Sequence, residues 1–188
     1  MAVLPLCITG EPVLHAPAAP VDEITDEIRT LVADMIETMQ AAPGVGLAAP
    51  QVGVDARIFV YDWVDDDDVH HRGVAINPEL LVSPPPLRDP DDDEDSEGCL
   101  SVPGERFPLV RSARALLRAT DVEGRPLEVE ATGWLARIFQ HEYDHLDGIL
   151  YVDRLAHPHA KAALKAIKKK SWGSPGQNWL PGRDDLDA

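Results

Sequence analysis

Cysteine is scarce in this chain of 188 residues. Cys7 and Cys99 are the only two, too few for the disulfide framework of a small secreted domain. Basic residues are also few: seventeen Lys and Arg stand against thirty-three Asp and Glu, a formal charge of −16. That balance argues against a general binder of nucleic acid or anionic membrane, while leaving room for a local basic patch. No apolar run approaches the roughly 18–20 residues that span a bilayer, and the N-terminus lacks a basic stretch followed by an apolar core and a cleavage site. A cytoplasmic location is the expectation, with no membrane and no DNA among the partners.

What is present suits one globular domain, with 44% hydrophobic and 27% charged residues and enough chain to bury a core without cross-links. Scattered prolines and glycines point to a loop-rich fold. Residues 1–20 read as extended chain crossing the surface, in which Cys7 is a small apolar filler. From Thr25, Ile28, Leu31, Val32, Met35, Ile36 and Met39 recur at three and four, predicting an amphipathic helix stopped by Ala42-Pro43-Gly44. Strands are predicted over residues 57–64, 74–82, 114–121 and 127–131, with a short apolar one at 149–152. The acidic run 89–95 lacks calcium-loop spacing and reads as a solvated loop that cannot pack inward.

The stretch with most chemistry is Gln140-His141-Glu142-Tyr143-Asp144-His145. On a helix, residues four apart stand one turn above the other, so His141 and His145 can share one metal ion. Glu142, beside the first histidine, reaches a metal-bound water without being a ligand. Trp134, Ile138, His141 and His145 follow a 4-3-4 spacing, an inward-facing stripe that places the site in the core. A catalytic site needs a third ligand and an open position. The thiol of Cys99, beside Gly98, suits zinc or ferrous iron, although a single cysteine is as often a buried filler. Gly44-Val45-Gly46-Leu47-Ala48-Ala49-Pro50-Gln51 lets backbone run close to an extended ligand. It is no dinucleotide fingerprint, since it follows a helix and lacks the third glycine. Gln51 is either a surface residue or an amide donor to that ligand.

Taken together, Gly44 to Gln51, Glu97-Gly98-Cys99-Leu100-Ser101 and Gln140 to His145 resemble the bacterial peptide deformylases, over about residues 3–155. The resemblance implies an α+β fold with small mixed or antiparallel sheets wrapped around a central metal-binding helix. It implies a catalytic unit over 1–155, with a basic helix and tail over 156–188 packed on it. By the same resemblance Cys99, His141 and His145 hold the metal, Fe2+ foremost, with Zn2+, Ni2+ or Co2+ as substitutes. A water or hydroxide in the fourth position would attack the formyl carbon of an N-formyl-methionyl nascent peptide, with Glu142 as base and then acid, releasing formate. Gln51 and the Leu100 N–H would stabilise the charged oxygen. The backbone around Val45, Gly46 and Gly98 would hold the peptide, with a methionine pocket near Val45, Trp134 and Ile138. Arg137 falls where many members carry an apolar pocket residue. Glu97 and Arg111 resemble the family's buried ion pair.

Past the metal helix, Lys161, Lys165, Lys168, Lys169 and Lys170 lie on a predicted helix without acids. It is either a solvated helix end or a contact with ribosomal RNA. Trp172 to Gly182 frames two tryptophans in proline and glycine, ahead of an acidic end. The indoles are expected to pack the tail back on the domain. Two other functions compete. A zinc endopeptidase usually takes its third ligand downstream, and a closed structural metal module needs a fourth protein ligand that the sequence does not offer.

Overall fold

The computed structural model describes residues 2–184; the acidic end at Asp185 and Asp187 lies outside the described residues. In chain order the elements are β1 (Leu6–Cys7), α1 (Asp26–Ala41), β2 (Gly46–Ala48), β3 (Ile58–Val64), β4 (His70–Val82), β5 (Ser96–Gly98) and β6 (Arg106–Pro108). There follow β7 (Arg114–Thr120), β8 (Pro126–Thr132), α2 (Gly133–Leu146), α3 (His159–Lys169) and β9 (Asn178–Trp179). The fold is α+β. Five strands form one sheet in the order β2-β3-β4-β7-β8, while β1 pairs with β9 and β5 with β6, every pairing antiparallel.

The large sheet has a helix on each face. Side chains alternate along a strand, so Leu47, Ile58, Val60 and Ile76 point to one side, packing with Val32, Met35 and Met39 of α1. Ala48, Phe59, Tyr61 and Ala75 point to the other, against Leu135, Ala136, Ile138 and Phe139 of α2. Strand β3 is thus buried on both faces from Ile58 to Tyr61, which is why its sequence reads as a continuous apolar run. Thr25 caps α1 by accepting from the Ile28 N–H, and Asp26 and Glu27 complement the positive end of the helix.

Three expectations need correction. Strand β4 begins at His70, four residues early, because its ladder with β3 continues from Ile58↔Ile76 to Val64↔His70, and the polar residues there find partners, His70 across the ladder with Asp62 and His71 with Asp65 in the turn. Residues 149–152 form no strand. Tyr151–Arg154 is a 3-10 turn, closed where Asp153 accepts from the Leu150 N–H at 2.9 Å, and Leu150 and Tyr151 pack with Leu14, Cys99 and Val102. The acidic run is not wholly solvated, since Asp95 is buried and ion-paired with Arg88 and Arg137.

The tail returns across the molecule. Trp179 is buried opposite Leu6, and Trp172 is half-buried with the Lys170 ammonium 4.9 Å from its ring centre. All five α3-region lysines are exposed, while Ala163 faces inward. No helix among the described residues is long and apolar enough to cross a membrane.

Candidate metal centre

Strand β8 delivers the chain to α2, whose inner face rests on the sheet, and the β5–β6 hairpin brings Cys99 to its last turns. Cys99 Sγ and His145 Nε2 are 3.2 Å apart, and His145 Nε2 and His141 Nε2 are 3.2 Å apart. The three donors lie within 4.8 Å of one another, the one such cluster found among the described residues. A tetrahedral ion with ligand distances of about 2.0–2.3 Å sets its donors roughly 3.3–3.6 Å apart, so these residues fit a metal. The set is one thiolate and two imidazoles, with no fourth protein donor in the cluster.

His141 is oriented from behind. Its Nδ1 meets Glu97 Oε1 at 2.7 Å, the carboxylate–histidine pairing that fixes a ligand's ring and tautomer. Glu97 also accepts from Arg111 Nη2 at 2.7 Å and Nε at 3.1 Å, and from Arg137 Nη1 at 2.9 Å. Arg111 continues to Asp144 at 2.6 Å, which Arg154 clasps with two bonds of 2.6 Å. Burial alone would raise the Glu97 pKa, but His141 and Arg111 hold it far below the usual carboxylate range. For His141, burial opposes protonation, yet the Cys99 and Glu97 charges lift its pKa well above the ordinary value; His145, in the same cluster, is lowered by burial and by the charge on His141.

Glu142 meets the opposite treatment. It is 3% exposed, its Oε2 has no hydrogen-bond partner on the protein, and burial lifts its carboxyl to about 7, against the pull of His141. A Cβ on Gly46 would lie 2.3 Å from Glu142 Oε1, so the missing side chain is what lets β2 pass over this carboxylate. Gln51 is buried, not on the surface. Its Oε1 accepts from the Ala48 N–H at 2.8 Å, and its Nε2 then faces Cys99 Sγ at 3.7 Å and Ser101 Oγ at 3.4 Å.

Val45, Gly46, Gln51, Gly98, Cys99, Leu100, Trp134, Ile138, His141 and Glu142 all line one cavity of about 520 Å³; His145 lies behind its wall. Trp134 is 40% exposed, so the inward stripe of α2 begins at Ile138 rather than at this residue. It stands at the cavity rim with its ring 6.1 Å from that of Trp63 and with the Arg137 guanidinium 5.1 Å away. Arg137 itself is buried between Asp95 and Glu97. Sequence reasoning did not find Asp95, Asp144, Arg154 and Trp63. Asp144 lies inside the histidine motif and three residues from His141, which is a signal that was there to use; the others carry none, because no local spacing joins Trp63 to Trp134, Asp95 to Arg137 or Arg154 to Asp144.

The chain matches the family model for polypeptide deformylase over residues 3–161. It is 51% identical over 189 residues to a peptide deformylase of Mycobacterium ulcerans, spanning 97% of this chain and 96% of that one. A peptide deformylase of Rhodococcus opacus is 50% identical over 186 residues, covering 97% and 95%. Among solved structures, a peptide deformylase from Synechococcus elongatus in complex with actinonin superposes with a TM-score of 0.75 at 38% identity, covering 90% of this chain and 88% of that one. One from Legionella pneumophila gives 0.76 at 36% identity, with 90% and 96% covered.

Proposed function

The chain belongs to the polypeptide deformylase family, and on that premise we propose which of its residues carry the reaction. The enzyme removes the N-formyl group from nascent polypeptides and uses a divalent metal. Cys99, His141 and His145 hold that metal, which we take to be ferrous iron on the family resemblance, since the donor set itself suits zinc at least as well. When bound, the metal supplies Lewis acidity, polarising the formyl oxygen and lowering the pKa of a water.

Glu142 moves the proton. At about 7 its carboxyl divides between both states near neutrality, so it takes a proton from the attacking water and returns it to the departing amine. Gln51 Nε2, held by the Ala48 bond, and the Leu100 N–H meet the charge that develops on the formyl oxygen. The backbone at Val45, Gly46 and Gly98 lies along the cavity, where an extended peptide pairs with it, and the methionine side chain enters between Val45, Trp134 and Ile138. Arg137, tied up by Asp95 and Glu97, closes that wall with its stem and braces the carboxylate behind His141.

The observation that carries this reading is a three-donor cluster with a buried carboxylate, one oxygen unpaired, next to His141 in the chain and lining the same cavity as His141 and Cys99. Formate release from formyl-Met-Ala-Ser by protein loaded anaerobically with ferrous iron tests it. One metal per chain and formate are expected; a metal with four protein ligands and no formate would overturn it.

We read residues 1–155 as the catalytic unit, working in the cytoplasm where nascent chains emerge. The exposed lysines from Lys161 to Lys170 are the ribosome contact, since they concentrate positive charge on a chain of −16. Ribosome co-sedimentation that weakens with salt, and with neutralisation of these lysines, is the expected result; insensitivity to both would sink the idea.

A further inference from the structure

The Leu100 N–H is assigned a share of the charge on the reacting oxygen, and its own peptide is held by the Cys99 carbonyl, which accepts from the Val102 N–H at 2.9 Å. The C-terminal tail holds the next peptide along. Trp179 is 3% exposed, and its strand pairs with β1, Leu6 opposite Trp179. Its indole N–H donates to the Leu100 carbonyl at 2.9 Å. That carbonyl belongs to the Leu100–Ser101 peptide unit, whose own N–H donates to Cys99 Sγ at 3.4 Å. One peptide plane is therefore held at both ends, by the tail on one side and by the thiol on the other.

The surrounding backbone continues the brace. The Thr9 N–H donates to the Ser101 carbonyl at 2.8 Å, and the Gly173 N–H donates to the Thr9 carbonyl at 3.0 Å. Gly10 passes so close that a Cβ there would sit 2.4 Å from the Gly173–Ser174 peptide, with φ at +109°. N-terminal strand, tail and cysteine loop thus form one hydrogen-bonded layer, with Trp179 as the side chain that reaches the reacting end.

Resting on the oxyanion reading above, we propose that Trp179 is a positioning residue for that loop. By fixing the Leu100–Ser101 plane, its indole N–H sets the backbone angles at Leu100, which aims the Leu100 N–H into the cavity, and it orients the Ser101 N–H toward the Cys99 sulfur. The tail is then part of the catalytic apparatus without touching substrate.

The test compares full-length, metal-loaded wild type with Trp179→Phe and, to remove the donor while keeping the bicyclic ring, with 3-benzothienylalanine at position 179. For formyl-Met-Ala-Ser, both are expected to lose roughly tenfold in kcat, a part of what deleting a whole oxyanion donor costs, with KM changed less than about twofold. Metal content is expected to hold, and in zinc-loaded protein the Leu100 and Ser101 amides should exchange faster while those of α2 do not. Unchanged kcat in both variants, or a loss that tracks metal content or KM, overturns the proposal. Gln51→Ala, run beside them, separates the two ideas. If it loses kcat while the Trp179 variants do not, the inference alone falls; if it retains kcat, the oxyanion reading falls and the inference with it.

Discussion

Two buried carboxylates stand on either side of His141, and the protein treats them in opposite ways. Glu97 and Glu142 are each 3% exposed, so burial alone cannot distinguish them. Glu97 accepts from Arg111, Arg137 and His141, and its proton is driven off far below the usual range. Glu142 lies against the Gly46 backbone with one oxygen unpaired, and its carboxyl rises to about 7. The lesson is that burial raises a carboxyl pKa unless donors and positive charge overrule it. In the proposed function the first is the fixed charge that orients His141, and the second is the proton carrier.

The sharpest way to break the contrast is at the proton carrier. Glu142→Gln keeps shape but cannot take a proton, and formate release is expected to fall about a thousandfold with metal content and thermal midpoint unchanged; a variant within a factor of a few of wild type would remove Glu142 from the mechanism. On the fixed side, Glu97→Gln leaves Arg111 and Arg137 buried with their shared anion gone. The expected cost is about 3 kcal/mol in thermal unfolding, with metal affinity reduced on the order of 10–100-fold by competition titration. Equal stability would mean that the guanidinium groups find other partners.

A smaller effect should come from crowding the carrier. In Gly46→Ala the new Cβ displaces Glu142 Oε1, which it would otherwise meet at 2.3 Å, and kcat is expected to drop roughly tenfold to a hundredfold with little change in unfolding. The smallest lies at the outer end of the charge network. Burial works to raise the Asp95 pKa, but the bonds from Arg88 and the charge of Arg137 leave it below the ordinary carboxylate value. A depressed folded pKa stabilises above the unfolded value and ceases to as pH falls through the folded one. Asp95→Asn should therefore cost about 1 kcal/mol at neutral pH, and melts taken over a pH series should show the gap closing below about pH 4.

Much of the site was legible in the chain, because its key residues sit in short stretches whose chemistry is local. The i, i+4 histidines with Glu142 between them point to a metal site by spacing, whereas Cys99 and Gln51 each keep a bland alternative until the three stretches are read together as a family resemblance. Helix α1 was equally readable because its periodicity reports burial on one face, and strand β3 because a continuous apolar run reports burial on both. Local reading failed where a partner was distant. Residues 149–152 have strand composition, but no neighbouring edge receives them, so the chain turns instead. Asp95 belongs to an acidic run whose other members lie in solvent, and two arginines draw it inward.

By itself, the sequence determined which groups could bind a metal and move a proton, because residue type and helical spacing are properties of a few consecutive residues. Tertiary structure decided their protonation and aim. It set Glu97 among guanidinium groups and Glu142 against bare backbone, and it laid Trp179 behind Leu100 from 79 residues away. Electric fields and hydrogen bonds depend on distance in space, and only folding brings those groups within range of one another.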